Sequence, residues 1–267
     1  MKMFNLLSVI LAFSFGCGSF AQSNTETTSV QTPELIFERA IQSIGGRKSL
    51  NKITSFQLHG VMRLPDGKPA VEIDLATKKG GKVLGVLTYL GVGQSRFGSD
   101  GSTAWEQTLN GQNEATWDII SDQALSTKVR QTNWLEWFTT LPTALHTTTF
   151  LGEEVFDGEN CWKLRINPDD SNTEIAFFST ATHHPRGRRT TERTNAGDIT
   201  LDVYFRSWEH VGKLLLFHEI VFSQGKDNEV IFKIDRIVLD TAKNSLFELP
   251  KQITALKEEE EEEEEEE

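Results

Sequence analysis

Cysteine is scarce in this chain, which contains only Cys17 and Cys161. If an amino-terminal segment that includes Cys17 is removed, Cys161 is the only thiol left, which excludes an internal disulfide. Cys161 lies at the start of a predicted strand, where we expect a buried and unreactive thiol. The alternative is a reactive thiol, or one that pairs with another molecule.

The chain also lacks an apolar run long enough to span a bilayer as a helix, which takes roughly 20 residues. Its longest mostly apolar run, Phe4–Phe15, has the length of a signal-peptide core. We expect a signal peptide over residues 1–21 with cleavage after Ala21. The mature protein would then work in the periplasm or cell envelope without a transmembrane segment. Lipidation at Cys17 is the alternative, although Ser14 stands where lipoprotein signals usually have leucine.

The chain has no excess of basic charge that nucleic-acid binding would need. Its formal net charge is −12, but ten of the acidic residues form the run 258–267. Once this run and Lys2 are set aside, the body over 22–257 carries only about −3. We therefore expect no nucleic-acid partner. The glutamate run is predicted to be a disordered, solvated tail because it can bury nothing.

Motifs of catalysis and nucleotide binding are missing. The sequence has no Gly-x-Ser-x-Gly, no phosphate-binding glycine loop, no dinucleotide fingerprint and no His-Glu-x-x-His. A zinc site needs three or four converging ligands, and the pair His183 and His184 has only Glu192 nearby. We interpret 181–197 as a solvated basic loop, and a hydrolase that uses this loop is the alternative. We expect no enzymatic activity, no cofactor and no metal ion.

The first structured element is a helix that follows a polar stretch, 22–32, which predicts a flexible leader. Thr32 can cap this helix and Pro33 can occupy its first position. Apolar residues at helical spacing continue as far as Gly45, where the helix is predicted to end. A short second helical turn is predicted over 47–52.

Beyond these helices the apolar residues recur with period two, the spacing of strands that have one apolar face. They alternate with polar residues along 56–62, and turn pairs such as Asn110-Gly111 separate the segments. We count about ten strands. The pattern predicts a mainly β, antiparallel sheet that curls into a barrel or half-barrel, in a single domain over 33–257. The segment 118–142 breaks the period and predicts one or two short helices across the sheet.

Five landmarks occur in a distinctive order, namely Ile44-Gly45-Gly46, Ser99–Trp105, Leu151–Gly158, Tyr204–Trp208 and Asn244–Pro250. Together they resemble the LolA-like superfamily of outer-membrane lipoprotein-sorting proteins, over about residues 34–250. The resemblance implies an incomplete β-barrel, a half-barrel whose concave face is covered by short helices and holds acyl chains. The carriers of this superfamily move lipoproteins across the periplasm.

The residues predicted to line the concave face are the inward-facing members of four strands: Phe56, Leu58, Met62, Ile73, Leu75, Leu201, Val203, Phe205, Phe232 and Ile234. Trp134, Trp137 and Phe138 are predicted to form a lid over them. We expect a monomeric, non-catalytic carrier or sensor that binds lipid or lipoprotein acyl chains, with an envelope protein as a further partner. The alternative is that these residues form a sealed core, in an envelope protein that serves interaction or structure without a ligand.

Overall fold

The computed structural model describes residues 31–109, 114–120, 148–166, 174–194, 197–225 and 228–266. Within these ranges the chain forms two short amino-terminal helices, thirteen strands, a 3₁₀ helix and a carboxyl-terminal helix. The predicted signal peptide, nearly all of the predicted leader and the three expected lid residues lie outside the described residues.

The amino-terminal helix α1 spans Pro33–Ser43, as its capping residues predict. The backbone nitrogen of Leu35 donates a hydrogen bond to Oγ1 of Thr32 at 3.3 Å, which caps the first turn. Gly45 follows the helix with a φ of 121°. A Cβ at this position would lie 2.5 Å from the carbonyl oxygen of Lys213, so the close approach requires glycine.

Helix α2, Arg47–Leu50, is shorter than the predicted second turn and leads into the strands. These are β1 (Ser55–Arg63), β2 (Pro69–Lys78), β3 (Lys82–Tyr89), β4 (Gly93–Asp100), β5 (Ala104–Leu109), β6 (Ala115–Ile120), β7 (Thr149–Phe156), β8 (Glu159–Ile166), β9 (Glu174–Ser179), β10 (Pro185–Thr194), β11 (Gly197–Val211), β12 (Leu214–Ser223) and β13 (Glu229–Leu239).

All thirteen strands belong to one antiparallel sheet, in the order β6-β5-β4-β3-β2-β1-β13-β12-β11-β10-β9-β8-β7. Strands β1 and β13 pair at the centre, which joins the first half of the chain to the second. In the described part of the chain β6 and β7 remain as edges, so the sheet is not closed. The mainly β fold and the incomplete half-barrel predicted from the sequence are confirmed.

The structure has thirteen strands, whereas the sequence predicts about ten. The clearest of the strands that the sequence does not predict is β10. The prediction of a solvated loop over 181–197 is wrong, because β10 pairs with both β9 and β11. Arginines interrupt the apolar alternation in this segment, and acidic side chains of neighbouring strands balance their charge. The spacing of apolar residues alone therefore does not predict this strand.

Helix α1 packs against one side of the sheet, the concave side of the half-barrel, which we term the inner face. Phe37 meets Phe178 of β9 edge to face, with 5.2 Å between the ring centroids. The backbone nitrogen of Leu215 in β12 donates to the carbonyl oxygen of Ile44 at 3.0 Å. Apolar residues of α1 and α2 thus form one continuous core with the inner face.

The opposite side of the sheet, the outer face, is partly covered by the carboxyl-terminal segment. The 3₁₀ helix Asn244–Phe247 places Phe247 in a small cluster with Ala76 of β2. Helix α3 spans Lys251–Glu266, with Ile253 buried near its start. The glutamate run was predicted to be disordered, but residues 258–266 continue α3, since glutamate has good helix propensity and the helix is already begun. No helix in the described ranges is long and apolar enough to cross a membrane.

Candidate functional site

All ten of the predicted concave-face residues lie on the inner face. Residues that pair across antiparallel strands share a face, and Met62 pairs with both Val71 of β2 and Phe232 of β13. Val203 of β11 is likewise opposite Phe222 of β12. All ten belong to the core cluster that includes the apolar side of α1, eight of them buried and two partly buried.

Burial of the inner face is uneven along the strands. Phe56 is 1% exposed and Val203 is 2% exposed. Trp208 and Val211 of the cluster are partly buried near the α1 end, and a second set of partly buried inner-face residues lies toward the other end of the sheet. We term this set the open-end cluster, which consists of Ile73, Tyr89, Leu201, Ile220, Phe222 and Val230.

Distances along β12 show how far the open-end cluster lies from the helix. The carbonyl oxygen of Ile44 is bonded to Leu215 at the start of the strand. Phe222 lies seven residues further on, which is about 23 Å at 3.3 Å per residue. Helix α1 therefore covers one end of the inner face, and apolar side chains at the other end, beyond its reach, keep part of their surface accessible.

One ion pair interrupts the apolar inner face near the open-end cluster. Arg188 of β10 is paired in register with Val203, an inner-face residue. Glu174, at the start of β9, is paired with Thr190 of β10. A nitrogen of Arg188, Nη1, lies 3.2 Å from Oε2 of Glu174. The spacing of apolar residues does not predict this pair, because its members lie in a strand that the apolar pattern misses and at the edge of another.

The two histidines that the sequence offers as metal ligands contact aromatic rings instead. His183 stacks on Trp162 of β8 with 5.3 Å between centroids, and His184 lies 5.0 Å from the ring of Trp208. Burial lowers the pKa of His184, and Arg186 lowers it further. Within the described ranges, no three His, Cys, Asp or Glu side chains are grouped so as to hold a metal ion.

Arg189 of β10 faces outward and forms ion pairs with two other strands. Arg189 holds Asp202 of β11 through two hydrogen bonds of 2.7 and 3.0 Å, and Glu154 of β7 through one of 2.7 Å. The Arg189 guanidinium lies 5.6 Å from the ring centroid of Phe156 and 5.3 Å from that of Phe177. These contacts join β7, β9, β10 and β11 on the outer face and give the basic segment a structural role.

Glu154 should make this part of the fold sensitive to acid. Burial raises the pKa of its carboxyl, but hydrogen bonds from Arg189 and Lys163 outweigh burial, and the pKa falls below the usual 4.5. The ionised form therefore stabilises the fold above pH 4.5, and this contribution is lost as the pH falls through the lowered pKa. We expect Glu154→Gln to lower the free energy of unfolding at pH 7 by about 1 kcal/mol.

Urea denaturation at pH 7 and at pH 3 tests this expectation, and the difference between the variant and the wild type should shrink at the lower pH. Glu153→Gln is the matched control, since Glu153 is an exposed neighbour in the same strand. It should change the free energy of unfolding by less than about 0.5 kcal/mol. Equal destabilisation by Glu154→Gln at both pH values would contradict the proposed role of the ionised carboxylate.

Cys161 is buried and free, as the sequence predicts. Burial, together with the charge of Glu159, raises the pKa of its thiol to about 12. The thiol is therefore protonated at neutral pH, which removes the nucleophilic form.

A pocket of about 400 Å³ lies on the outer face, and its lining also includes Leu58 and Leu75 of the predicted site. Its wall includes Asp74 of β2, Val86 of β3 and Arg236 of β13, and Leu246 of the 3₁₀ helix lies along one side. His59 bonds Asp74 at 2.9 Å beside it.

Comparison with solved structures identifies the architecture. A DUF1329 family protein from Desulfovibrio piger superposes with a TM-score of 0.55 at 12% identity, covering 82% of this chain and 98% of that chain. A LolA superfamily protein from Nitrosomonas europaea superposes with a TM-score of 0.54 at 12% identity, covering 82% of this chain and 99% of that chain. The chain has the LolA-like fold.

The family resemblance that the sequence shows is thereby confirmed at the level of fold. At 12% identity the LolA-like fold is what the two structures share with this chain. No protein-family model matches the sequence, and no curated protein matches it.

Proposed function

We propose that this protein is an exported, non-catalytic envelope protein that binds the acyl chains of a lipid or lipoprotein on its inner face. The observation that carries the proposal is the open-end cluster, a set of partly buried apolar side chains continuous with the core. Contiguous apolar surface is where soluble proteins meet ligands, partners or membranes, and each side chain of the cluster keeps part of its surface accessible.

The energetics of burial favour an acyl chain as the ligand. Each methylene removed from water contributes roughly 0.8 kcal/mol, so ten methylenes would contribute about 8 kcal/mol before the costs of association. The inner face offers Phe222 and Ile220 of β12 beside Val230 of β13 for such contacts. Helix α1 closes the other end of the face, so a chain would enter at the open-end cluster.

The amino-terminal segment and the segment between β6 and β7 also have roles in this proposal. Cleavage after Ala21 or lipidation at Cys17 would deliver a single domain over 33–257 to the periplasm or to a membrane surface of the envelope. Trp134, Trp137 and Phe138 would cover the bound chain from the segment between β6 and β7. The ligand would be held by burial alone, without metal or cofactor.

A second candidate function is an interaction or structural module whose inner face is a sealed core. The burial of eight predicted site residues favours it, because side chains such as Phe56 and Ile234, 1% and 4% exposed, offer almost no surface to a ligand. The two candidate functions differ in what the open-end cluster contacts. It binds acyl chains in the first candidate and faces a protein partner in the second.

A chain-length series distinguishes the two candidates. Monoacylglycerols that differ by two methylenes would compete with a fluorescent fatty acid for the delipidated protein. If the inner face buries the chain, each added methylene should strengthen binding by up to about fourfold, the equivalent of roughly 0.8 kcal/mol. Affinity that does not depend on chain length, or no competition by any member, would contradict the acyl-binding proposal.

A further inference from the structure

The ion pair between Arg188 and Glu174 lies where a ligand with an acyl chain could place its polar end. One row of paired residues on the inner face runs from Ala176 through Arg188 and Val203 to Phe222 and then to β13. Neighbouring strands are about 4.8 Å apart, so Phe222 lies roughly 10 Å across the sheet from Arg188. The charged pair thus borders the open-end cluster directly.

This ion pair is incomplete, in contrast to the neighbouring one on the outer face. Arg188 contacts Glu174 through a single pair of atoms, Nη1 and Oε2. The side chains of Arg188 and Glu174 keep 22% and 18% of their surface accessible, whereas Nε of Arg188 and Oε1 of Glu174 are buried and have no hydrogen-bond partner within the described residues. Arg189, the next residue, binds Asp202 through two hydrogen bonds. Buried polar atoms are nearly always paired, so the two unpaired atoms of the inner pair require an explanation.

The two unpaired atoms specify the chemistry of a partner. Nε of Arg188 carries a hydrogen to donate, and Oε1 of Glu174 is an acceptor. A hydroxyl or an amide can accept from the first and donate to the second. An ionised carboxylate or phosphate offers acceptors alone, and its charge would meet that of Glu174 while Arg188 is already neutralised. The pair therefore favours a neutral head group over an anionic one.

We propose that Arg188 and Glu174 form a head-group site that selects acylated ligands with an uncharged hydroxyl or amide next to the chain. This inference rests on the proposed acyl-binding function and specifies which ligands that function would serve. Two sources of this chemistry exist, the hydroxyls of a monoacylglycerol and the amide of an N-acylated amine. Arg188 and Glu174 position the head group, and the open-end cluster holds the chain.

Competition binding with four ligands that share a monounsaturated octadecenyl-length chain tests the proposal. The ligands are 1-monooleoylglycerol, N-oleoylethanolamine, methyl oleate and oleyl phosphate, and they compete with a fluorescent fatty acid for the full mature chain. We expect the wild type to bind at least one of the first two about tenfold more tightly than the other two, the order expected for one additional hydrogen bond. The tighter of the first two identifies the source of the head group.

Glu174→Gln is the variant that separates recognition from structure. It removes the negative charge with almost no change in shape, so the positive charge of Arg188 is left unneutralised. Oleyl phosphate should then bind about tenfold more tightly than it binds to the wild type, whereas methyl oleate should be unaffected. A purely structural ion pair would not produce this gain. Thermal denaturation of the variant verifies that it is folded.

The outcomes separate this proposal from the one on which it rests. Equal affinity of the wild type for all four ligands would overturn the head-group site and leave acyl binding intact. The affinities of the wild type for the four ligands test the head-group site even if Glu174→Gln fails to fold. Preference of the wild type for oleyl phosphate would overturn the head-group site as well. If no ligand competes, acyl binding is contradicted, and the head-group site is contradicted with it.

Discussion

Replacing Phe37 with alanine should lower the free energy of unfolding by about 3–5 kcal/mol, the usual cost of removing a buried phenylalanine ring. Phe37 is 1% exposed and belongs to the core that α1 shares with the inner face. Its ring also contacts that of Phe178 edge to face. The variant loses the contact that holds α1 against β9, and urea denaturation measures the loss.

Leu35→Ala in the same helix is the matched control. Leu35 is 37% exposed, so its removal should change the free energy of unfolding by less than about 0.5 kcal/mol. If Phe37→Ala were as mild as Leu35→Ala, α1 would not be part of the core. The inner face would then lack the cover that the structure gives it.

Phe222→Asp should weaken the binding of acyl chains by more than about hundredfold, because an unpaired charge would be buried beneath the ligand. Phe222 is partly buried, and its partners in register, Val203 and Val230, lie on the same face. It is a better position for this test than Phe232, which is 6% exposed and whose replacement by aspartate would unfold the core. Displacement of a fluorescent fatty acid measures the effect.

Val155→Asp is the control for added charge. Val155 is 64% exposed at the end of β7, so the variant adds one negative charge without touching the open-end cluster. It should bind acyl chains as the wild type does. A folded Phe222→Asp protein that also binds normally would show that the open-end cluster does not hold the ligand.

The sequence predicts most of the fold because its apolar residues recur at the spacing of strands and helices. Phe56 and Leu58 face inward and are buried, as their alternation indicates. Thr32 and Pro33 begin α1 as capping chemistry requires. Apolar alternation does not predict β10, because Arg188 and Arg189 lie on opposite faces of this strand and form ion pairs with acidic residues of other strands. Those partners are distant in sequence, so the segment resembles a solvated loop until the strands are paired.

The sequence identifies the inner face but does not reveal which part of it is accessible. Alternation places Phe56 and Ile73 on one face without distinguishing the buried residue from the partly buried one. That difference depends on where α1 packs, and the position of α1 is fixed by long-range contacts such as the one between Ile44 and Leu215. Tyr89 and Ile220, which extend the open-end cluster, become recognisable only after the strands are in register.

The two faces of the sheet differ in the contacts that hold them together and in the apolar surface that they leave accessible. The outer face is joined by ion pairs such as that between Arg189 and Asp202 and is partly covered by the carboxyl-terminal segment. The inner face is covered by α1 at one end and has the partly buried apolar side chains of the open-end cluster at the other. Stability and ligand binding can therefore be altered separately, by Glu154→Gln on the outer face and by Phe222→Asp on the inner face.

Native mass spectrometry of the mature protein, purified from a bacterial periplasm without detergent, tests the central claim most directly. An inner face that binds acyl chains should yield a mass above that of the bare chain by the mass of a phospholipid, a glyceride or a fatty acid. Phe222→Asp should remove this addition, and Val155→Asp should keep it. A bare mass that persists after incubation with lipid vesicles would contradict acyl binding and favour the sealed interaction module.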